Sequence, residues 1–388
     1  MRCRTNRTIL DAMAIAVVYL VSITPASGQA APEKPLMAED VFKNVQVLKG
    51  ISVAEFMDTM GFFSSSLGLN CTGCHTTESL GSWEKYSDDA LPRKRMTRVM
   101  VQMVNAINKT NFGGRRAVTC VSCHRGSTAP KVIPSLADQY ASAPAEDPNE
   151  IEIPNQAAPG PSADEILDKY IQAVGGAERV ANLTSFVGKG TYGGYDTDFL
   201  KAPFEVFAKA PGQRTTIAHT PIGDSTTSYD GRAGWIAAFD KPVPVLALPA
   251  AGGDLDGVKL DADLSFPGRI KQALSDWRVG FPVTTINDRD AVVVQGRCAG
   301  GSRVKLFFDK ESGLLVRQVR FTNTMVGIVP TEVDYSDYRE VAGVKLPFHW
   351  TVTWTDGQSM IELSEVQPNV AIDASKFGKP APVKSVTK

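Results

Sequence analysis

Cys71-Thr72-Gly73-Cys74-His75 and Cys120-Val121-Ser122-Cys123-His124 decide how this 388-residue chain is read. Each has the form C-x-x-C-H, the attachment pattern of a c-type haem. The chemistry dictates the spacing. Two thiols add across the two vinyl groups of a porphyrin, so they stand about one helical turn apart, and the next residue offers an imidazole nitrogen to the iron. With six Cys and four His in the chain, one such pattern arises by chance in roughly one of a thousand sequences of this composition. Two copies use four of the six Cys and two of the four His. Zinc or redox CxxC sites need no His directly after the second Cys. The expectation is therefore two covalently bound haem c groups. Cys71, Cys74, Cys120 and Cys123 form the thioethers, and His75 and His124 are the proximal iron ligands.

Around these motifs the pattern is helical. Ser52-Val53-Ala54-Glu55 reads as a capping box, and Phe56, Met60 and Phe63 follow at helical spacing. Pro92 opens a second helix, whose Met96, Val99, Met100, Met103, Val104 and Ile107 form one apolar stripe; Gly113-Gly114 ends it. The order is helix, CxxCH, helix, CxxCH, a duplication in architecture. Residues 129–162 contain repeated prolines among Ala, Ser, Asp and Glu, the composition of a semi-extended linker that contributes little core. Beyond it, Ser162-Ala163-Asp164-Glu165 is another capping box, opening a helix that closes at Gly175-Gly176. Alternation then takes over at Phe204, Val206 and Ala208, at Val304, Leu306 and Phe308, and at Trp350, Val352 and Trp354. The fold class expected is multidomain. A mainly α dihaem cytochrome c domain (33–128) precedes a mainly antiparallel β domain (163–378), a curved sheet with one apolar face and a helix over it, and a tail at 379–388.

Composition is that of an ordinary soluble globular protein, and a formal net charge of −1 gives no pull toward nucleic acid. Arg2, Arg4 and Arg7, the apolar run Ala12 to Ile23 and the small residues from Pro25 to Ala30 read as a cleaved signal peptide over 1–30. Cys3 falls in the removed part. The expected location is the periplasm, with any membrane association through partners. Cys298, beside Gly296, Gly300 and Gly301, is left as a lone thiol and read as inert.

The sixth iron ligand separates electron transfer from catalysis, because a Met thioether fills the site and an empty site binds small molecules. The haem region offers Met37, Met57, Met60, Met96, Met100 and Met103, and its only histidines are His75 and His124. The next Met after His124 is Met325, in the other domain, so the second haem is expected to draw its Met from upstream. Met57 and Met60 lie one turn apart, as do Met100 and Met103, and the second helix could also serve the first haem.

Phe42 to Leu48 with Ser52 to Phe56, and Met100 to Gly126 (above all Met103 to Asn108 and Val118 to Gly126), resemble the cytochrome c subunit of photosynthetic reaction centres. In that family each of the first two haems takes a Met from the helix before its own CxxCH. The resemblance thus implies Met60 and Met100 as distal ligands, with Met57 and Met103 as packing residues. The chain departs from the family in carrying only two motifs, lacking the extra ligand His, and having a sheet domain; the photosynthetic role does not carry over. The helix Glu165 to Val174 and the runs Asp334 to Glu340 and Gly343 to Pro347 resemble periplasmic lipoprotein-sorting and lipid-carrier folds.

Smaller features have plainer readings. Arg93, Lys94, Arg95 and Arg98 are either a solvated helix face or partners for haem propionates, and Arg125 is expected to pair with a propionate or a carbonyl. Trp83 and Tyr86, between the motifs, either pack on a porphyrin or, the favoured reading, sit in the core with no electron role, and His219 and His349 are read as ordinary strand residues. The function expected is single-electron transfer between unidentified redox proteins, with no catalytic residues. The competing readings are a haem enzyme with one open iron, and a lipid or lipoprotein-binding module with redox-sensing haems.

Overall fold

The computed structural model describes residues 33–136, 141, 147–150, 153, 160–250, 252–280 and 284–383. The expected signal peptide, Cys3 within it, most of 137–159 and the end of the tail lie outside the described residues. Residues 34–388 form one compact unit.

The haem region begins with α1 (Ala38–Val41) and α2 (Val53–Leu67). Ser52 caps α2 by accepting from the Glu55 amide at 3.1 Å. The expected box is only half made: the Glu55 carboxylate faces the Met325 backbone amide instead of returning to Ser52, and burial raises its pKa. Gly68 in the left-handed conformation ends α2. Then come α3 (Pro92–Asn111), with Pro92 in its first turn, and the single turn α4 (Cys120–His124).

The second region carries α5 (Ala163–Ala173), opened by the full Ser162–Glu165 capping box, and α6 (Ala177–Ala181). Its strands are β1 (Ser185–Gly194), β2 (Ala202–Lys209), β3 (Gln213–Thr220), β4 (Gly223–Tyr229), β5 (Gly234–Ala237), β6 (Leu246–Ala247), β7 (Ser275–Val279), β8 (Thr284–Ile286), β9 (Arg289–Arg297), β10 (Arg303–Asp309), β11 (Leu315–Asn323), β12 (Ile328–Val341), β13 (Val344–Trp354) and β14 (Gly357–Pro368). Between β6 and β7 run α7 (Gly253–Leu264) and α8 (Ile270–Ala273). The sheet is antiparallel, in the order β6-β5-β4-β3-β2-β1-β14-β13-β12-β11-β10-β9-β7, with β8 on β9. It is two meanders joined where the first strand pairs with the last, Tyr192 opposite Ile361.

The main core lies between the inner sheet face and α5, α7 and α8. Leu167, Leu260, Ile270, Leu306 and Val344 are buried there, and Tyr170 meets Phe308 at 5.4 Å between ring centroids. Several helices, not one, cover this face. The other face is not simply polar either. Ile153, Ile286, Val293, Phe307 and Val319 form a second cluster, so β10 is buried on both sides. Ile153 belongs to the segment expected to add little core, and Asn149 beside it accepts from Lys305 Nζ at 2.7 Å and donates to Glu332 at 2.5 Å. One buried Ile of this kind contributes about 1.5–3 kcal/mol of apolar transfer energy.

The haem helices pack against the sheet. Phe62 of α2 and Val101 of α3 share a cluster with Val326 of the β11–β12 turn and Val329 at the start of β12. A β-carbon at Gly61 would lie 2.7 Å from Thr355 Oγ1, so a Gly lets α2 press on the β13–β14 turn. Arg116 donates to Asn323 Oδ1 at 3.2 Å and to the Gly327 carbonyl at 3.3 Å. Among the described residues no helix is long and apolar enough to cross a membrane.

Candidate haem-attachment site

Both C-x-x-C-H motifs adopt single helical turns, a 3₁₀ turn at Cys71–Gly73 and α4 at Cys120–His124. Cys71 and Cys123 are exposed, while Cys74 and Cys120 are half-buried, and burial raises the pKa of both inner thiols. Thr119 and Ser122 cap α4 reciprocally. Arg125 and Gly126 follow in left-handed conformations, and the Gly126 amide donates to the Ser66 carbonyl at 2.9 Å. The end of α2 is thereby fastened beside the second motif.

His124 Nδ1 lies 2.9 Å from the Ser127 carbonyl. A carbonyl only accepts, so Nδ1 carries the proton and Nε2 keeps its lone pair, the tautomer an iron ligand needs. His75 sits edge-on to Tyr86, with ring centroids 4.8 Å apart. Burial lowers its pKa, helped by the Lys94 charge, and favours the neutral imidazole. Its Nδ1 is buried without a hydrogen-bond partner. Trp83 and Tyr86 extend a run of ring contacts through Phe42, which stacks on Phe56 at 4.7 Å.

The apolar stripe of α3 divides in an unexpected way. Val101, Val104 and Asn108 are the buried positions, whereas Met96, Val99 and Met103 are 56%, 53% and 43% exposed. Met100, half-buried, stands at the edge of that open face, and Val121 of the second motif is also exposed. Paired Cys, an imidazole whose Nε2 lone pair is free, and exposed apolar side chains on α3 are the residue types that hold a flat apolar group, and these residues fit a haem.

Met60 is half-buried and packs on the Phe62 cluster together with Cys120 and Met325. Met325 was expected to be remote as part of the other domain. The β11–β12 turn instead brings it into the haem region's core, and nothing in its local sequence signals this. Asn108 is a second unforeseen residue. Its Oδ1 accepts from the Ala117 and Val118 amides at 3.1 and 2.9 Å, and its Nδ2 donates to the Val118 carbonyl at 2.7 Å, which clamps the approach to the second motif onto α3.

The basic cluster of α3 is not a plain solvated face. Arg98 grips Asp89 with two bonds of 2.7 and 2.9 Å, and Lys94 adds a 3.1 Å ion pair. The bond from Arg98 is the main reason the Asp89 carboxyl lies well below the usual range. Arg93 donates to the Gly73 carbonyl at 2.7 Å, inside the first motif, and Arg95 donates to the Asp89 carbonyl. Arg125, expected to pair with a carbonyl or propionate, is exposed; its amide donates to the Val121 carbonyl at 3.1 Å, and its side chain makes no hydrogen bond or ion pair among the described residues. His219 meets Asp224 at 2.8 Å and His349 meets Ser336 at 2.8 Å, both within the sheet.

The family model described as "Photosynthetic reaction centre cytochrome C subunit" matches residues 2–159. The photosynthetic reaction center cytochrome c subunit of Rubrivivax gelatinosus is 34% identical over 114 residues, covering 28% of each chain. That of Thermochromatium tepidum is 34% identical over 124 residues, covering 31% of this chain and 28% of its own. The chain therefore spans less than a third of the length of these relatives. Solved structures similar to the C-terminal part include a DUF1329 family protein from Desulfovibrio piger (11% identity, TM-score 0.39, 56% of this chain and 98% of that one). Another is a LolA superfamily protein from Nitrosomonas europaea (13% identity, TM-score 0.36, 57% of this chain and 99% of that one). Residues 2–159, which hold both C-x-x-C-H motifs, are thus the part of this chain that is similar to the photosynthetic reaction centre cytochrome c subunit, and a large antiparallel sheet follows them.

Proposed function

We propose that this chain is an exported dihaem c-type cytochrome that passes single electrons between periplasmic redox proteins. When bound, haem c supplies a one-electron Fe(III)/Fe(II) couple. Cys71 and Cys74 would hold one haem and Cys120 and Cys123 the other, with His75 and His124 as proximal ligands. Met60 and Met100 would fill the distal positions. The observation that carries the reading is at the second motif: His124 Nδ1 is tied to the Ser127 carbonyl, which leaves Nε2 free to bind an iron. Half-buried Met60 and Met100, both on helices that pack around the motifs, support closed irons over open ones.

The test is the absorption spectrum of the oxidised mature protein, made in a host that attaches haem c and calibrated for haem per chain. Two haems with the Met–iron charge-transfer band at full intensity are expected. A high-spin haem, or a spectrum that shifts with cyanide or peroxide, would overturn the electron-carrier reading. Met60→Ala and Met100→Ala are each expected to lower the potential of one haem only. Unchanged titrations in both would move the ligands to Met57, Met103 or Met325.

A further inference from the structure

The two proximal imidazoles are held in different ways. At the second motif the bond from His124 Nδ1 to the Ser127 carbonyl is complete, at 2.9 Å. At the first motif the Tyr86 carbonyl is the backbone group that faces the His75 ring. Yet Nδ1 of His75 is buried with no hydrogen bond closed on it. The Tyr86 oxygen is engaged elsewhere. Lys94 Nζ donates to it at 2.8 Å, donates to the Asp88 carbonyl at 2.8 Å, and pairs with Asp89 Oδ1 at 3.1 Å. The Lys94 side chain is only 14% exposed, so solvent and salt screen its charge weakly. Among the charges around His75, Lys94 weighs most, ahead of Arg98, and Asp89 opposes both.

Both differences act in one direction. A bond from Nδ1 to a carbonyl makes the imidazole a stronger donor to a metal on Nε2, which favours Fe(III) and lowers the potential. His124 has that bond and His75 lacks it. A cation behind the imidazole also opposes the extra positive charge of Fe(III). Asp89 returns part of this charge, but Arg98 holds the same carboxylate at 2.7 and 2.9 Å. Two cations share one anion, and a positive excess remains. Arg93, on the Gly73 carbonyl, adds to it. We propose that Lys94 is a positioning residue that sets the potential of the haem at Cys71 and Cys74 above that of the haem at Cys120 and Cys123. It does so by occupying the Tyr86 carbonyl that His75 would otherwise use, and by placing its charge behind the imidazole. The proposal rests on the dihaem reading.

The test is a potentiometric titration of the full haem-loaded protein, followed by absorption and by proton NMR. Haem per chain, measured on the same sample, reports on the dihaem reading; the two midpoints report on Lys94. The first haem is identified in the reduced protein by the contact of the His75 ring with the Tyr86 ring. It is expected to have the higher potential of the two. In Lys94→Met its ratio of reduced to oxidised form, at a fixed applied potential, is expected to fall about tenfold while the second haem stays put. Lys94→Arg keeps both charge and donor and is expected to recover most of that fall. A first haem at or below the second, an unmoved first haem in Lys94→Met, or an equal fall in Lys94→Arg would each overturn the proposal and leave two haems per chain standing. A chain with no haem at the first motif would overturn the proposal together with the reading beneath it. Thermal melting verifies that each variant folds. If Lys94→Met does not, Lys94→Gln is read in its place, and if neither does, the order of the two potentials in the parent decides.

Discussion

The ring of Phe62 in α2 occupies the space above Gly327 in the β11–β12 turn: a β-carbon on Gly327 would stand 2.2 Å from Phe62 Cζ. The haem region is seated on the sheet through this contact. Gly327→Ala should therefore force α2 outward or the turn inward, at a cost of about 1–3 kcal/mol. Urea unfolding checks it. Phe62→Leu, added to Gly327→Ala, is expected to recover part of the loss; a pair that behaves additively would show that the two residues do not meet.

Asn108 makes the other decisive local connection, closing on both polar groups of Val118. Asn108→Ala leaves the Val118 amide without its acceptor and the Ala117 amide with the Arg115 carbonyl alone, and is expected to cost about 1–3 kcal/mol. Hydrogen exchange at these two amides should quicken far more than at the main sheet core. Equal protection in variant and parent would refute the clamp.

Asp58 lies on α2 toward the sheet. Burial raises its pKa well above the 3.8 of a free side chain, and the negative Asp254 adds to this, while Arg320 opposes it. The folded state holds this proton more tightly than the unfolded chain does. Its contribution to stability is complete below pH 3.8 and is lost as pH rises through the elevated folded value. Asp58→Asn should then melt higher than the parent at pH 8, with the gap closing toward pH 4. A gap that widens on acidification would reverse the assignment.

Cys298 is buried, and its thiol is pushed up to about 12, first by burial and then by the Asp256 carboxylate. The thiolate is the reactive form. Native haem-loaded protein should resist iodoacetamide at pH 8 and take up one equivalent at Cys298 after denaturation. Rapid labelling of the native chain would place this side chain at the surface.

Local rules carried much of this fold into view from sequence. Pro92 and Gly113-Gly114 bound α3, Ser162 with Glu165 opens α5, and the alternation at Phe204, Val206 and Ala208 marks a strand with one buried face. In each case the determining residues are neighbours in sequence. What stayed hidden depends on residues that meet only in space. Glu55 abandons its own cap for Met325, Ile153 enters the second sheet cluster, and Met96, Val99 and Met103 remain uncovered. Periodicity tells which side of a helix is apolar; it does not tell what that side will face. The two C-x-x-C-H motifs were legible because covalent chemistry fixes residue type and spacing together. The Ser127 carbonyl that orients His124 belongs to no such pattern.

The seating of α2 on the β11–β12 turn also sets an order of events. The cluster around Ala38, Leu48, Ile51, Phe62 and Val101 is completed by Val326 and Val329, from far down the chain. A contact of such long sequence separation forms late. The apolar cluster of α1, α2 and α3 thus stays incomplete until the β11–β12 turn has formed. The arrival of the sheet is the step that shuts it. A chain truncated before the β11–β12 turn is therefore expected to leave Phe62 and Val101 uncovered.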